Sequence, residues 1–329
     1  MPDQTGGKHH SRPERKSPPR ARKSGSHQDH RSHAERRSRT LGRRPRFLHR
    51  ARPLRNTPMP TLDINDTTLF YDELGSGEPI ILHHGYTGSH DVWLDEIAPR
   101  LADRYRCIVM DARGAADSAR PDAGYNIPQY ALDVLGVADA LGLDTFTYVG
   151  HSMGGGIGYQ LGVHHGHRLD RLVLVAPIPA GGIQGDPAMH AEAVKLRADP
   201  NARSKMIAQR KLTNLRSSDA AIERGVDRAL SVSEGHFNDS WQSMVDFDVS
   251  AELDKLTTPT LMVAGAADGL CTPNVNDWQK LPNATLHVFS RVGHGVPGDV
   301  PDEFAAMLAD FMEHGAINAK TLQERMKQG

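Results

Sequence analysis

The chain has 329 residues and a formal net charge of −1, and this balance hides two oppositely charged parts. Residues 1–58 carry 17 Lys and Arg against 4 Asp and Glu, whereas the remainder carries 22 against 36. Two cysteines are too few for a disulfide framework, and no run of about 18 apolar residues is present to form a membrane span. We therefore expect a cytoplasmic protein without a membrane partner, long enough for one large domain or two small ones.

The basic segment, residues 1–58, is predicted to be disordered, because it has too few apolar residues to offset the entropy lost on ordering. It is interpretable as an organellar transit peptide, as an arm that contacts nucleic acid or anionic surfaces nonspecifically, or as an extension upstream of a domain that begins at Met59. Its four acidic residues argue against the transit peptide, and strand-like sequence directly after Met59 favours the extension. No specific nucleic-acid partner is expected.

Short apolar runs alternate with helical patterns from Met59 onward. The runs predict strands over 61–65, 68–71, 79–83, 106–111, 145–150, 172–177, 259–265 and 285–289. Strands that alternate with helices predict a mostly parallel sheet with helices on both faces, which is an α/β fold. Only Asp66 and Thr67 separate the first two runs, and this spacing predicts an antiparallel hairpin at one edge.

Residues 178–254 interrupt the alternation, because they show helical patterns and no strand pattern. Ile222 and Val226 share one helical face, and Trp241, Met244 and Phe247 recur at near-helical spacing. A helical insertion over the sheet is therefore predicted, dividing the core into residues 59–177 and 255–314. Residues 315–329 are predicted to form a polar C-terminal helix or tail.

Ser152 lies in the sequence Gly-His-Ser-Met-Gly, directly after the predicted strand 145–150 and before a helical pattern. Glycines around a serine at a sharp strand-to-helix turn remove Cβ atoms that would clash there. The N-terminus of the helix offers N–H groups and positive potential to a developing oxyanion. The pattern predicts a nucleophilic serine, with the Met153 N–H as an oxyanion donor.

A second glycine-containing turn, His83-His84-Gly85-Tyr86, follows the predicted strand 79–83. Its backbone is free to turn toward the serine, and the Tyr86 N–H is the second predicted oxyanion donor. His84 is interpreted as a buried structural histidine rather than a proton carrier.

A serine hydroxyl needs a base within hydrogen-bond reach, and that base needs an acceptor that fixes its tautomer. Asp268 follows the predicted strand 259–265, and His294 follows the last strand. Because the carboxyl ends of parallel strands meet at one edge of the sheet, we expect Ser152, His294 and Asp268 to form a catalytic triad. Asp186, after the strand 172–177, is the alternative acid and is disfavoured because several glycines separate it from that strand.

In these motifs the sequence resembles the α/β-hydrolase superfamily over residues 62–311. Residues 111–118 also resemble the family's D-x-R-G-x-G-x-S stretch, with Ala116 where glycine is usual. The resemblance implies an eight-stranded sheet, a mechanism without cofactor or metal, and a cap formed by residues 178–254.

Serine rather than aspartate at the nucleophile position disfavours dehalogenase and epoxide-hydrolase chemistry. We expect cleavage of a small to medium carboxylic ester or lactone through an acyl-enzyme, with amidase and thioesterase activity also compatible. A carbon–carbon bond hydrolase, a cofactor-free haloperoxidase-like enzyme and a small-molecule receptor with a retained triad stay open as alternatives. The apolar cap residues offered as substrate lining are Met189, Met206, Trp241, Met244 and Phe247. The oligomeric state is not predicted.

Overall fold

The computed structural model describes residues 60–185, 188–214 and 216–328. The basic segment, residues 1–58, Met59 and the alternative acid Asp186 lie outside the described residues. Within the described part, no helix has the length and apolar character needed to cross a membrane.

Eight strands form one sheet in the order β1-β2-β4-β3-β5-β6-β7-β8. The strands are β1 (Thr61–Ile64), β2 (Thr67–Leu74), β3 (Glu78–His83), β4 (Tyr105–Met110), β5 (Phe146–His151), β6 (Leu169–Val175), β7 (Thr260–Gly265) and β8 (Ala284–Phe289). β2 pairs antiparallel with β1 and β4, and all other neighbours are parallel. The predicted mostly parallel, eight-stranded sheet is thereby confirmed.

The edge hairpin turns one residue earlier than the sequence predicted. Its turn is formed by Asn65 and Asp66, with φ of 47° and 65°, and Thr67 already belongs to β2. Asn and Asp tolerate this left-handed conformation because their short polar side chains bond locally, whereas a β-branched threonine does not.

Helices follow most of the strands, beginning with a π-helical turn at Trp93–Ile97. They are α1 (Ala98–Leu101), α2 (Ile127–Ala140), α3 (Met153–His164), α4 (Ala188–Arg197), α5 (Ala202–Thr213), α6 (Asp219–Ser231), α7 (Glu234–Asp246), α8 (Cys271–Trp278), α9 (Val296–Asp299), α10 (Pro301–His314) and α11 (Ala319–Gln328). Short 3₁₀ turns occupy Gly166–Arg168 and Ser250–Lys255.

The central strands are buried on both faces, because successive side chains of a strand point to opposite sides of the sheet. Tyr148 and Leu172 belong to a core cluster shared with α2 and α3. Val149 and Val173, one residue further along, belong to a second cluster that contains Phe304 of α10. Helices therefore cover both faces, as the alternation of patterns predicted.

The helices α4 to α7 lie between β6 and β7, two strands that pair directly with each other. This insertion thus leaves the sheet intact. We call α4–α7 the cap. Ile222 and Val226 of α6 are buried, in agreement with their common face in the sequence.

The Asp111–Ser118 stretch after β4 is a tightly bonded turn. Asp111 is fully buried and accepts hydrogen bonds from the backbone and ring of His90 and from the Asp117 N–H. Ala116 has φ of 42°, which costs a residue with a Cβ atom roughly 1–2 kcal/mol. This conformation explains why glycine is usual at the position that Ala116 occupies.

Candidate active site

Ser152 occupies the turn between β5 and α3 with φ of 58° and ψ of −114°, a conformation rarely adopted by residues other than glycine. The surrounding backbone holds it there: the Ser152 N–H donates to Val175 O at 2.9 Å, and the Ser152 carbonyl accepts from Ile178 N at 3.1 Å. A Cβ atom at Gly150 would lie 2.1 Å from Gly154 O. The turn therefore requires glycine at position 150 and presents the serine at the sheet edge.

His294 lies between the serine and a carboxylate. Its Nε2 is 2.9 Å from Ser152 Oγ, and its Nδ1 is 2.8 Å from Asp268 Oδ2. Burial opposes ionisation of Asp268, but the hydrogen bond and charge interaction with His294 outweigh it and hold the pKa of Asp268 below its usual value. Because the His294 side chain is 42% exposed, substrate and water can reach it. The structure thus brings together the three residues that the sequence proposed as a triad.

The turn after β3 lies directly against the serine. A Cβ atom at Gly85 would be 2.8 Å from Ser152 Cβ, so the Gly85–Tyr86 backbone borders the nucleophile. Within the described residues, neither the Tyr86 N–H nor the Met153 N–H donates a backbone hydrogen bond. Both groups are therefore available to a substrate oxygen, as an oxyanion hole requires.

His84 is a buried part of the framework beneath this turn. Its Nε2 accepts a hydrogen bond from Ala112 N at 3.0 Å, so the proton lies on Nδ1, which donates to Gly85 O at 2.7 Å. Burial lowers the pKa of His84 to about 3, and the ring stays neutral. These contacts support the structural role expected for His84.

His151 is a site residue that the sequence analysis did not single out. Its Nε2 is 2.8 Å from the carbonyl oxygen of His294. Burial lowers the pKa of His151 to about 4, so the neutral ring donates its Nε2 proton to that carbonyl. His151 thereby fixes the backbone that carries the predicted base. The sequence feature that could have indicated this role is the position of His151 immediately before Ser152.

A cavity of about 600 Å³ opens above Ser152 and His294. Its cap side is formed by α5, α6 and the segment between them. The cap residues that line it include Arg210, Thr213, Asn214, Ser217, Ile222 and Arg228.

The apolar cap residues named from the sequence are not among the lining of this cavity. Trp241 packs beside Tyr86, with ring centroids 6.0 Å apart, and Met244 and Phe247 are buried in the core cluster. Met189 is exposed, with 52% of its surface accessible. The periodicity of α7 correctly identified an apolar face, but this face packs onto α2 and the core, and α5 and α6 supply the cavity wall. Met206 on α5 likewise lies outside the lining.

A charged cluster joins the cap to the core beside the cavity. Arg228 of α6 bonds Asp91 at 2.9 Å and Asp117 at 2.8 Å. Among the described residues, His90, Asp111 and Asp117 are the group whose potential metal-ligating atoms lie within 4.8 Å of one another. Because Asp111 bonds His90 and Asp117 bonds Arg228, these groups already have protein partners, and we assign no metal to them.

Comparison with known proteins gives the family. The family model described as the alpha/beta hydrolase fold matches residues 78–299. The chain belongs to the α/β-hydrolase family.

Relatives within the α/β-hydrolase family carry several chemistries. The chain is 26% identical over 276 residues to a non-heme haloperoxidase of Rhodococcus erythropolis, a match covering 78% of this chain and 100% of that protein. It is 31% identical over 255 residues to a 2-hydroxymuconate semialdehyde hydrolase of a Pseudomonas species, covering 72% and 88%. The solved structure of an N-acyl homoserine lactone degrading enzyme aligns with a TM-score of 0.65 and 26% identity, covering 77% and 100%. The chain is therefore a hydrolase of this family, and its relatives are named for different reactions.

Proposed function

We propose that the protein cleaves a carboxylic ester or lactone through an acyl-enzyme, with Ser152 as nucleophile, His294 as general base and Asp268 as the acid that orients the base. The observation that carries this proposal is the position of His294, 2.9 Å from Ser152 Oγ and 2.8 Å from Asp268 Oδ2. A neutral imidazole held in this tautomer accepts the serine proton on Nε2.

In the first step Ser152 Oγ attacks the carbonyl carbon while His294 takes the hydroxyl proton. The N–H groups of Tyr86 and Met153 stabilise the negative charge on the carbonyl oxygen. The bond to the leaving oxygen then breaks, and His294 protonates that oxygen; in a lactone it stays attached to the acyl chain. Water attacks the acyl-enzyme, giving a proton to His294, and the acid leaves as Ser152 regains its hydrogen.

Two further observations support an ester or lactone of small to medium size. The cavity volume of about 600 Å³ lies within the usual range for small-molecule sites. A lactone-degrading enzyme is among the structural relatives above 25% identity. A cytoplasmic location is proposed alongside, in agreement with the free thiols of Cys107 and Cys271.

Carbon–carbon bond hydrolysis is the second candidate, because the relative at 31% identity bears the name 2-hydroxymuconate semialdehyde hydrolase. The same triad serves both reactions, so the two candidates differ in substrate and not in nucleophile. A panel of esters, lactones and β-diketones of graded chain length separates them by kcat/KM, and bromination of monochlorodimedone with peroxide tests the haloperoxidase alternative.

The direct test is covalent labelling by a fluorophosphonate probe. We expect the label on Ser152, and Ser152→Ala to lose both labelling and turnover while Ser89→Ala, the neighbouring serine in the lining, keeps the label. Repeated turnover under excess substrate distinguishes an enzyme from a receptor, which releases product slowly. A label on Ser89 or Ser118 with Ser152 unmodified would overturn the assignment.

A further inference from the structure

Arg210 of α5 is a half-buried cation in the wall of the catalytic cavity. Its guanidinium makes no ion pair or hydrogen bond with any of the described residues. Burial lowers the pKa of Arg210 from its usual value, and no carboxylate among the described residues offsets this effect. Gly225 of α6 makes room for it, since a Cβ atom there would lie 2.7 Å from Arg210 Nη1.

The other arginines of the lining have carboxylate partners or are solvated. Among the lining carboxylates, Asp91 pairs with Arg228, Asp95 with Arg224 and Glu96 with Arg100. The buried Asp299 accepts a hydrogen bond from Ser217 on Oδ1, and its Oδ2 has no hydrogen-bond partner among the described residues, Arg210 included. Arg216, which also lacks a carboxylate partner among the described residues, is exposed, so water solvates its charge. Arg210 is therefore the lining cation that combines burial with the absence of a described counterion.

A charge withdrawn from water is normally paired, because desolvation without a partner is costly. A guanidinium presents paired N–H donors in a rigid plane that matches a carboxylate and forms strong, charge-assisted hydrogen bonds with it. Arg210 lines the same cavity as Ser152 and His294. An anionic ligand group in that cavity would supply the missing counterion.

We propose that the substrate carries a carboxylate that binds Arg210 while its scissile carbonyl lies at Ser152. This inference rests on the proposed ester or lactone hydrolysis and narrows it to acidic substrates, such as half-esters of dicarboxylic acids or lactones with a carboxylate side chain. The contact is remote from the reacting bond, so it acts mainly on substrate binding and hence on KM.

The test compares pairs of chromogenic esters that differ only in the distal group. The 4-nitrophenyl half-esters of succinate, glutarate and adipate are each paired with the corresponding 4-nitrophenyl methyl diester, in which the charge is removed. For the best-fitting chain length, we expect wild-type kcat/KM to favour the carboxylate by about 10- to 100-fold. Arg210→Gln should lose this preference, and Arg210→Lys should keep part of it.

Lys211→Gln is the matched control, because Lys211 is the next residue of α5 and its exposed ammonium pairs with Asp219 at 2.8 Å. It removes the same charge from the same helix and should keep the wild-type preference. Equal kcat/KM for both members of every pair in the wild type would overturn the proposal, as would an Arg210→Gln variant that keeps the wild-type ratio. A carboxylate preference that rises in Asp186→Asn would also overturn it, by showing that Asp186 already neutralises the guanidinium.

A calorimetric titration separates this proposal from the proposed function. Phenyl hemiglutarate is titrated into Ser152→Ala and into Ser152→Ala/Arg210→Gln, neither of which needs turnover. Binding to the first protein and about tenfold or more weaker binding to the second would support the carboxylate site even if no ester were hydrolysed. Equal binding to both, or none to either, would refute the site, while ester turnover with a label on Ser152 would still support the hydrolase.

Discussion

Acidification from pH 7 to pH 5 should destabilise the protein through histidines that are buried in the neutral form. Desolvation lowers the pKa of His84 to about 3 and that of His151 and His236 to about 4, and it also lowers the pKa of His83. In the unfolded chain the same imidazoles titrate near ~6.5. The native state therefore stays unprotonated at these sites while the unfolded state binds protons.

The sign and size of the effect follow from this difference. A histidine with a lowered folded-state pKa contributes stability that is fully present above a pH of ~6.5. This stability is lost as the pH falls toward the folded-state pKa. Between pH 7 and pH 5 each of His84, His151 and His236 should remove about 2 kcal/mol from the free energy of unfolding, or about 6 kcal/mol together. That loss is comparable to the total stability of many domains, about 5–15 kcal/mol.

His90 acts in the opposite direction. Burial opposes its protonation, but the hydrogen bond to Asp111 and the charges of nearby carboxylates outweigh burial and raise the pKa of His90. Its stabilising contribution is present below ~6.5 and is lost only as the pH rises through the raised value. On acidification from pH 7, His90 therefore adds only a small part of the free energy of unfolding that is lost through the four buried histidines.

Urea denaturation at half-unit pH steps from 8 to 5 measures the free energy of unfolding and its slope against pH. His236→Phe removes a titrating ring that has no role in the triad. We expect the slope near pH 5.5 to fall by about 1.2 kcal/mol per pH unit, which corresponds to nearly one proton. A free energy that stays constant or rises on acidification from pH 7 to pH 5 would refute the reasoning.

Three further outcomes are expected. Asp268→Asn should reduce kcat by about 10⁴ with an unchanged melting curve, because the amide presents the wrong hydrogen-bonding partner to the imidazole. The kcat of Asp186→Asn should stay within about threefold of wild type. The reverse result would place the catalytic acid after β6. Gly85→Ala should lower kcat by about 100-fold, since its Cβ would stand 2.8 Å from Ser152 Cβ, and wild-type kinetics would contradict the close approach. Deleting residues 1–58 should leave ester turnover within about twofold and the melt cooperative, and a lost melt would show that the segment is structural.

The sequence was most informative where burial and chemistry act on the same short segment. Each buried strand is an apolar run in the sequence. β7 is buried at every position, and the end of its apolar run predicts the end of the strand at Gly265. Because parallel strands bring their carboxyl ends to one edge, the sequence alone groups the residues after β5, β7 and β8. Ser152, Asp268 and His294 lie together for that reason.

The cap was harder to predict, because helical periodicity identifies an apolar face but not what this face contacts. Trp241, Met244 and Phe247 share such a face, and it packs onto Tyr86 and the core instead of lining the cavity. Arg210 gave no sequence signal at all. It is one of several basic residues on a polar helix, and its significance depends on burial and on the absence of a described counterion.

The cap contacts the core beside the cavity through both α5 and α6. The C-terminal part of α5 contacts the loop that carries His294, since a Cβ atom at Gly293 would lie 2.9 Å from Thr213 O. Arg210 rests against Gly225 of α6, and α6 is tied to the core by the Arg228 ion pairs with Asp91 and Asp117. The half-buried Arg228 bonds two carboxylates at once, so its guanidinium loses little freedom for the second pair. These contacts run from the core through α6 to Arg210. The residues of the proposed triad thus lie at the strand ends, whereas Arg210, the residue of the proposed carboxylate contact, lies in the cap.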